Sequence, residues 1–83
     1  MFYVYILKSL KSRKSYTGHT DNLKRRIVQH NSGLGAYSHK FAPWELIHRE
    51  LFDSQEDAIK REKYLKSAVG RKWIKKQFQK FFE

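Results

Sequence analysis

The sequence contains no cysteine. That excludes a disulfide framework and any thiolate metal site, and it is compatible with a reducing cytosol, the compartment expected for this chain. Proline occurs once and glycine four times in 83 residues. No repeat, linker or low-complexity segment is present, and the chain reads as one domain over residues 1–83. No apolar run approaches membrane-spanning length, and Met1 leads directly into a strand pattern, so neither a transmembrane segment nor a signal peptide is expected. The four histidines, His19, His30, His39 and His48, have no metal-ligand spacing and no cysteine partner, which argues against zinc. There is also no glycine-rich phosphate loop, no nucleophile elbow and no paired carboxylate set. Acidic residues are scarce: eight Asp and Glu stand against eighteen Lys and Arg, a formal net charge of +10. In so small a domain this points to a polyanionic partner, nucleic acid first. A membrane surface fits less well, because no helix pattern combines a basic face with a bulky insertion face.

Aromatic residues, by contrast, make up 16% of the chain, enough to help a short sequence build one small core with room for a shallow surface site. The organising stretch runs from Tyr3 to Gly18. Tyr3-Val4-Tyr5-Ile6-Leu7 is aromatic and β-branched, as a largely buried strand requires. Lys8 to Lys14 reads as an exposed basic hairpin loop, Ser15-Tyr16-Thr17 as a second strand, and Gly18 as its end, where the backbone needs freedom or a close approach. Residues two apart in a strand share a face. Tyr3 and Tyr5 therefore point one way, Val4 and Ile6 the other, and hairpin pairing brings Tyr16 beside the tyrosine face.

His19 to Asn22 is rich in helix-capping types, and a helix over Leu23 to His30 follows. Leu23 and Ile27 share its packed face, His30 continues it, and Arg26 borders it four residues before His30. Gly33 is a natural cap. The loop from Leu34 to Pro43 carries Tyr37, His39, Lys40 and Phe41 and suits contact with a phosphate backbone. Trp44 to Phe52 reads as a third strand of imperfect alternation, with Trp44, Leu46 and His48 on one side and Glu45, Ile47 and Arg49 on the other; an edge or bulged strand is expected. Asp53 or Ser54 caps a helix running to about Ser67, with Glu56 and Asp57 in its first turn and Ala58, Ile59, Leu65 and Val69 as its apolar stripe. Gly70 and Arg71 then break to a last basic helix, Lys72 to Phe82.

Glu62 falls in the middle of that apolar stripe. A carboxylate there costs several kcal/mol, on the order of the penalty for an uncompensated buried charge, unless it is paired or binds a cation. Two readings stand side by side: an ion pair with a nearby arginine, or a hard-cation ligand of the magnesium type, in which one carboxylate leaves the remaining positions to water and substrate phosphate.

Tyr3-Val4-Tyr5, Tyr16-Thr17-Gly18, Arg26 and His30 on the following helix, and Glu62 within Lys60-Arg61-Glu62-Lys63-Tyr64 together resemble the GIY-YIG nuclease family over nearly the whole chain. The small stand-alone bacterial members are the most similar type. Three positions depart from the motif's name: Tyr3 and Val4 replace Gly and Ile, and Thr17 replaces Ile. No Asn follows Asn31, whereas many family nucleases carry one near the C terminus; Gly70-Arg71-Lys72-Trp73 occupies that region.

The resemblance implies an α+β fold of order β-β-α-β-α-α, a three-stranded antiparallel sheet flanked by three helices. It implies one divalent metal, Mg2+ or Mn2+, on Glu62, which would stabilise the leaving oxygen as a Lewis acid does. Tyr5 or Tyr16 would help activate the attacking water, Arg26 would brace phosphate charge, and His30 would orient a tyrosine or the phosphate. Lys14, Arg25, Lys40, Arg71 and Lys72 are the expected nucleic-acid contacts. The activity so implied is phosphodiester hydrolysis in nucleic acid, DNA first, selected by structure or non-specific, because base readout in the family comes from attached domains. The alternative class is a basic nucleic-acid-binding module of the same fold with weak or no cleavage.

Overall fold

A computed structural model describes residues 1–32 and 40–82. Strands β1 (Phe2–Ser9), β2 (Ser15–Thr20) and β3 (Trp44–Phe52) form one antiparallel sheet in the order β2-β1-β3. Helix α1 (Leu23–Ser32) covers one face of the sheet, and α2 (Gln55–Lys66) and α3 (Ala68–Gln77) cover the other, followed by a 3-10 turn over Gln79–Phe81. The order of elements is the expected one. The expected cap at Gly33 and the loop residues Tyr37 and His39 lie outside the described residues.

β1 is the central strand, with a layer on each side, so it reads as a continuous apolar run rather than an alternating one. Val4, Tyr5, Ile6 and Leu7 are all 0% exposed. Val4 and Ile6 pack with Ala58, Leu65 and Ile74 beneath α2 and α3. Tyr5 and Leu7 pack with Leu23 and Trp44 beneath α1. Each buried aliphatic side chain contributes about 1.5–3 kcal/mol.

Several sequence expectations need correction. Lys8 and Ser9 are not loop residues; both are buried in β1, where the Lys8 ammonium donates to the Ser9 and Ser12 carbonyls. Gly18 does not end β2, which continues through His19 to Thr20. β3 has the expected bounds and is an edge strand, and its register shifts where Ile6 faces His48 but Leu7 faces Leu46. The extra residue there, Ile47, rotates the rest of the strand, so His48 no longer shares a face with Trp44 and Leu46. It packs against Trp73 and Phe78 on the α3 side.

The break between the last two helices falls at Ser67, not at Gly70. Ser67 closes α2 through its backbone N–H to the Tyr64 carbonyl and opens α3 by accepting from the Gly70 N–H. Gly70 is buried inside α3 because the end of α2 approaches it: a Cβ there would lie 2.1 Å from the Tyr64 carbonyl oxygen. Val69, assigned to the apolar stripe, is 62% exposed. α3 stops at Gln77 rather than Phe82.

Candidate active site

The α1 face of the β1–β2 hairpin carries the tyrosine cluster. Leu7 pairs with Tyr16 and Tyr5 with Gly18, so both phenols stand on one face, one register step apart. Their rings are 6.3 Å apart and nearly parallel. The glycine between them is required by close approach: a Cβ on Gly18 would lie 2.7 Å from the Tyr5 hydroxyl and 3.1 Å from the Tyr16 ring.

α1 brings the other partners. Asn22 caps it, its Oδ1 accepting from the Arg25 N–H at 3.0 Å. At its far end Asn31 clamps the start of β3, accepting from the Trp44 N–H at 2.6 Å and donating to the Trp44 carbonyl at 3.3 Å. The helix fixed in this way points His30 and Arg26 at the phenols. His30 Nε2 is 3.1 Å from the Tyr5 hydroxyl, and the Arg26 Nε–H donates to the same hydroxyl at 3.4 Å. Burial, and then the Arg26 charge, hold the His30 imidazole below its ordinary range. In the tautomer of neutral His30 that carries its proton on Nδ1, Nε2 is an acceptor, and the relay then runs from Arg26 N–H to the Tyr5 hydroxyl and from Tyr5 O–H to His30. Burial pushes the Tyr5 phenol up, against the hydrogen bond from Arg26. That bond in turn strengthens the Arg26 guanidinium's hold on its proton, and Tyr16 adds to the effect.

The two tyrosines differ in access. Tyr5 is fully buried. Tyr16 is half-buried and lines a recess of about 270 Å³ with Thr17, Lys66 and Arg71. Its ring lies 4.5 Å from His30 and edge-on to Trp44 at 6.3 Å, so aromatic packing fixes its direction. Tyr3 stands apart, in a cleft with Leu23, Ile27 and Arg49.

Glu62 approaches from the opposite layer. It is not the partner of an arginine: Arg61 is committed to Glu50 by two bonds of 2.8 and 3.0 Å, and His48 contacts the same carboxylate at 2.8 Å. Glu62 pairs instead with His19 Nδ1 through one oxygen and Lys66 Nζ through the other. Burial opposes its charge, but the bonds from Lys66 and His19 outweigh it and hold the carboxyl below the usual carboxylate range. The Glu62 charge reaches Tyr5 electrostatically. The two groups thus meet across the free edge of β2, with Tyr16 and Gly18 on one side and Thr17 and His19 on the other.

Among the described residues no group of three or more His, Cys, Asp and Glu is placed to hold a metal ion. A divalent metal on Glu62 would therefore complete its shell with water and substrate oxygens. An ionised, partly sheltered carboxylate at a basic edge fits that pattern, with Lys66, an exposed side chain four residues on, as the donor to be displaced.

Of the expected nucleic-acid contacts, Lys14 and Arg71 line recesses beside Tyr16. Arg25 lines one on the other flank but is paired with Asp21 at 3.3 Å. Lys40 lies over the Phe41 ring, and Lys72 is exposed. His19 is the participant that sequence reasoning missed. Its signal was the two-residue spacing from Thr17, which becomes visible only if β2 continues past Gly18.

Comparison with known proteins agrees with this fold. The profile of the GIY-YIG catalytic domain matches residues 1–77. A UPF0213 protein of Staphylococcus saprophyticus is 38% identical over 74 residues, covering 88% of this chain and 89% of its own. A UPF0213 protein of Natronomonas pharaonis is 46% identical over 66 residues, covering 78% of this chain and 76% of its own. The solution NMR structure of a UPF0213 protein from Bacillus halodurans superposes with a TM-score of 0.56 at 34% identity, covering 94% of this chain and 86% of that one. No helix among the described residues is long and apolar enough to cross a membrane.

Proposed function

Because this chain belongs to the GIY-YIG catalytic-domain family, we propose that it is a divalent-metal-dependent endonuclease that hydrolyses phosphodiesters in branched, flapped or otherwise irregular nucleic acid, DNA first. The observation that carries the reading is the Arg26–Tyr5–His30 relay set beside a half-exposed Tyr16. Tyr16 receives the attacking water, because its ring reaches a recess while Tyr5 is sealed. Tyr5 keeps its proton and acts as a positioning residue, holding the Arg26 fork and the neutral His30 in place.

Arg26 meets the charge that develops on the phosphate as the water oxygen bonds to phosphorus, giving up its proton by way of the Tyr16 oxygen, and the ester oxygen departs and takes a proton from solvent. Glu62 would hold the metal, which would supply Lewis-acid chemistry at the scissile phosphate. His19 keeps one Glu62 oxygen in position, and Lys66, once released, becomes a further phosphate contact. The formal net charge of +10 supports recognition through backbone charge.

A second reading, binding without cleavage, is favoured by one observation: both Glu62 oxygens are already engaged. Incubating the protein with labelled branched and linear DNA and RNA in Mg2+, Mn2+ or chelator separates the two. Cleavage that appears with metal and stops with chelator supports the nuclease. Tight binding with no cleavage on any substrate in either metal overturns it in favour of the binding module.

A further inference from the structure

We propose that a second nucleic-acid subsite lies beyond Tyr16, in the recess of about 350 Å³ where the β1–β2 turn meets α3, and that it holds an unpaired stretch of the strand being cut. The proposal rests on the reading that the chain acts on nucleic acid and adds where, and in what form, the flank of the substrate is held.

Four cations from segments far apart in sequence, Arg13, Lys14, Arg71 and Lys75, line this recess, and no carboxylate does. Among the described residues none of the four belongs to an ion pair. Like charges gathered in one hollow repel one another unless an anion is shared between them. The apolar lining of the recess comes from Ile74 and from the Phe82 ring, over which the Lys8 ammonium also lies at 5.7 Å. Cations around an aromatic-lined hollow suit a nucleotide that can turn its base inward, as single strands bind on stacking platforms. A regular duplex keeps its bases paired and would touch only the rim.

The recess is continuous with the candidate active site. Ser15, Arg71 and Ile74 line both it and the smaller hollow that holds Tyr16, Thr17 and Lys66. From Gly18, where the phenols meet, to Ser15 is three strand residues, about 10 Å at 3.3 Å each. That corresponds to about three stacked nucleotides at 3.4 Å per phosphate. The opposite flank has a different character: the hollow there includes Asp21, which neutralises Arg25. The unpaired flank is therefore held on the Ser15 side of the cut.

The test is fluorescence anisotropy of the full chain in chelator, comparing the wild type with Arg13→Ala/Lys75→Ala on a single strand and on the blunt duplex of equal length. Both residues are exposed, and neither belongs to the catalytic set. Loss of two phosphate contacts lowers the single-strand salt slope by about 1.4, which is about 25-fold in affinity at 0.1 M relative to 1 M salt. The duplex is expected to change much less. An unchanged single-strand affinity, or an equal loss on duplex, overturns the subsite. A wild type that binds neither probe overturns the nucleic-acid reading itself, and the subsite with it.

Discussion

Replacing Tyr16 with Phe removes one hydroxyl from a half-exposed ring held by aromatic packing; the same change at Tyr5 removes the shared partner of Arg26 and His30. Tyr16→Phe is expected to abolish cleavage with little change in melting temperature. Tyr5→Phe leaves a buried imidazole acceptor unmet and is expected to cost about 1–3 kcal/mol of stability in addition to activity. Paired thermal melts and cleavage rates check both. His30 gives a signature in pH. Its folded-state pKa lies below the ordinary value of 6.5, so the unfolded chain binds more protons as pH falls below that value. Stability is therefore lost as pH drops from about 6.5 toward the depressed folded pKa and levels off below it. Subtracting the denaturation profile of His30→Gln isolates this contribution, and parallel profiles for the two proteins contradict it.

At the scale of elements, two glycines mark where backbones or rings come too close for a Cβ. Gly70→Ala places a methyl 2.1 Å from the Tyr64 carbonyl oxygen, where helix backbone must move. Gly18→Ala meets the end of the Tyr5 side chain at 2.7 Å. Overpacking of this kind typically costs about 1–3 kcal/mol. Gly70→Ala is expected at or above the upper end, and Gly18→Ala to lose activity before stability as Tyr5 is pushed off His30; chemical denaturation with parallel cleavage assays checks both. The same places show what the sequence could and could not reveal. Runs with strong period or strong capping were legible: β1, the bounds of β3, Ser54 before α2, and the facing of Tyr5, Arg26 and His30. A glycine reads alike whether it ends an element or admits a neighbour, so β2 was cut short at Gly18 and His19 was hidden with it. The imperfect alternation of β3 made an edge or bulged strand legible, but the place of the bulge, Ile47, is a register event between strands that no single strand's pattern carries. The partner of Glu62 was legible only in part. Lys66 sits at the helical spacing of four, whereas His19 comes from 43 residues away.

For the whole molecule, the fold is a means of bringing two layers to one sheet edge. Sheet and α1 set the phenols, the imidazole and the guanidinium; α2 delivers a carboxylate held below its ordinary pKa around the rim of β2. Among the described residues Arg13, Lys14, Arg71 and Lys75, which cluster beside that edge, belong to no ion pair, and such charge attracts backbone phosphates without reading bases. The central claim is that Glu62 acts chemically and not as a structural ion pair. Its partners His19 and Lys66 are partly exposed, so Glu62→Gln is expected to cost no more than about 1 kcal/mol of stability. The direct measurement is the single-turnover rate of Mg2+-dependent cleavage of a flapped DNA by wild type and Glu62→Gln, each at saturating protein and with its melting temperature recorded. The expected result is a folded variant that binds the flap and does not cut it. A folded variant that binds and cuts at the wild-type rate would contradict the account.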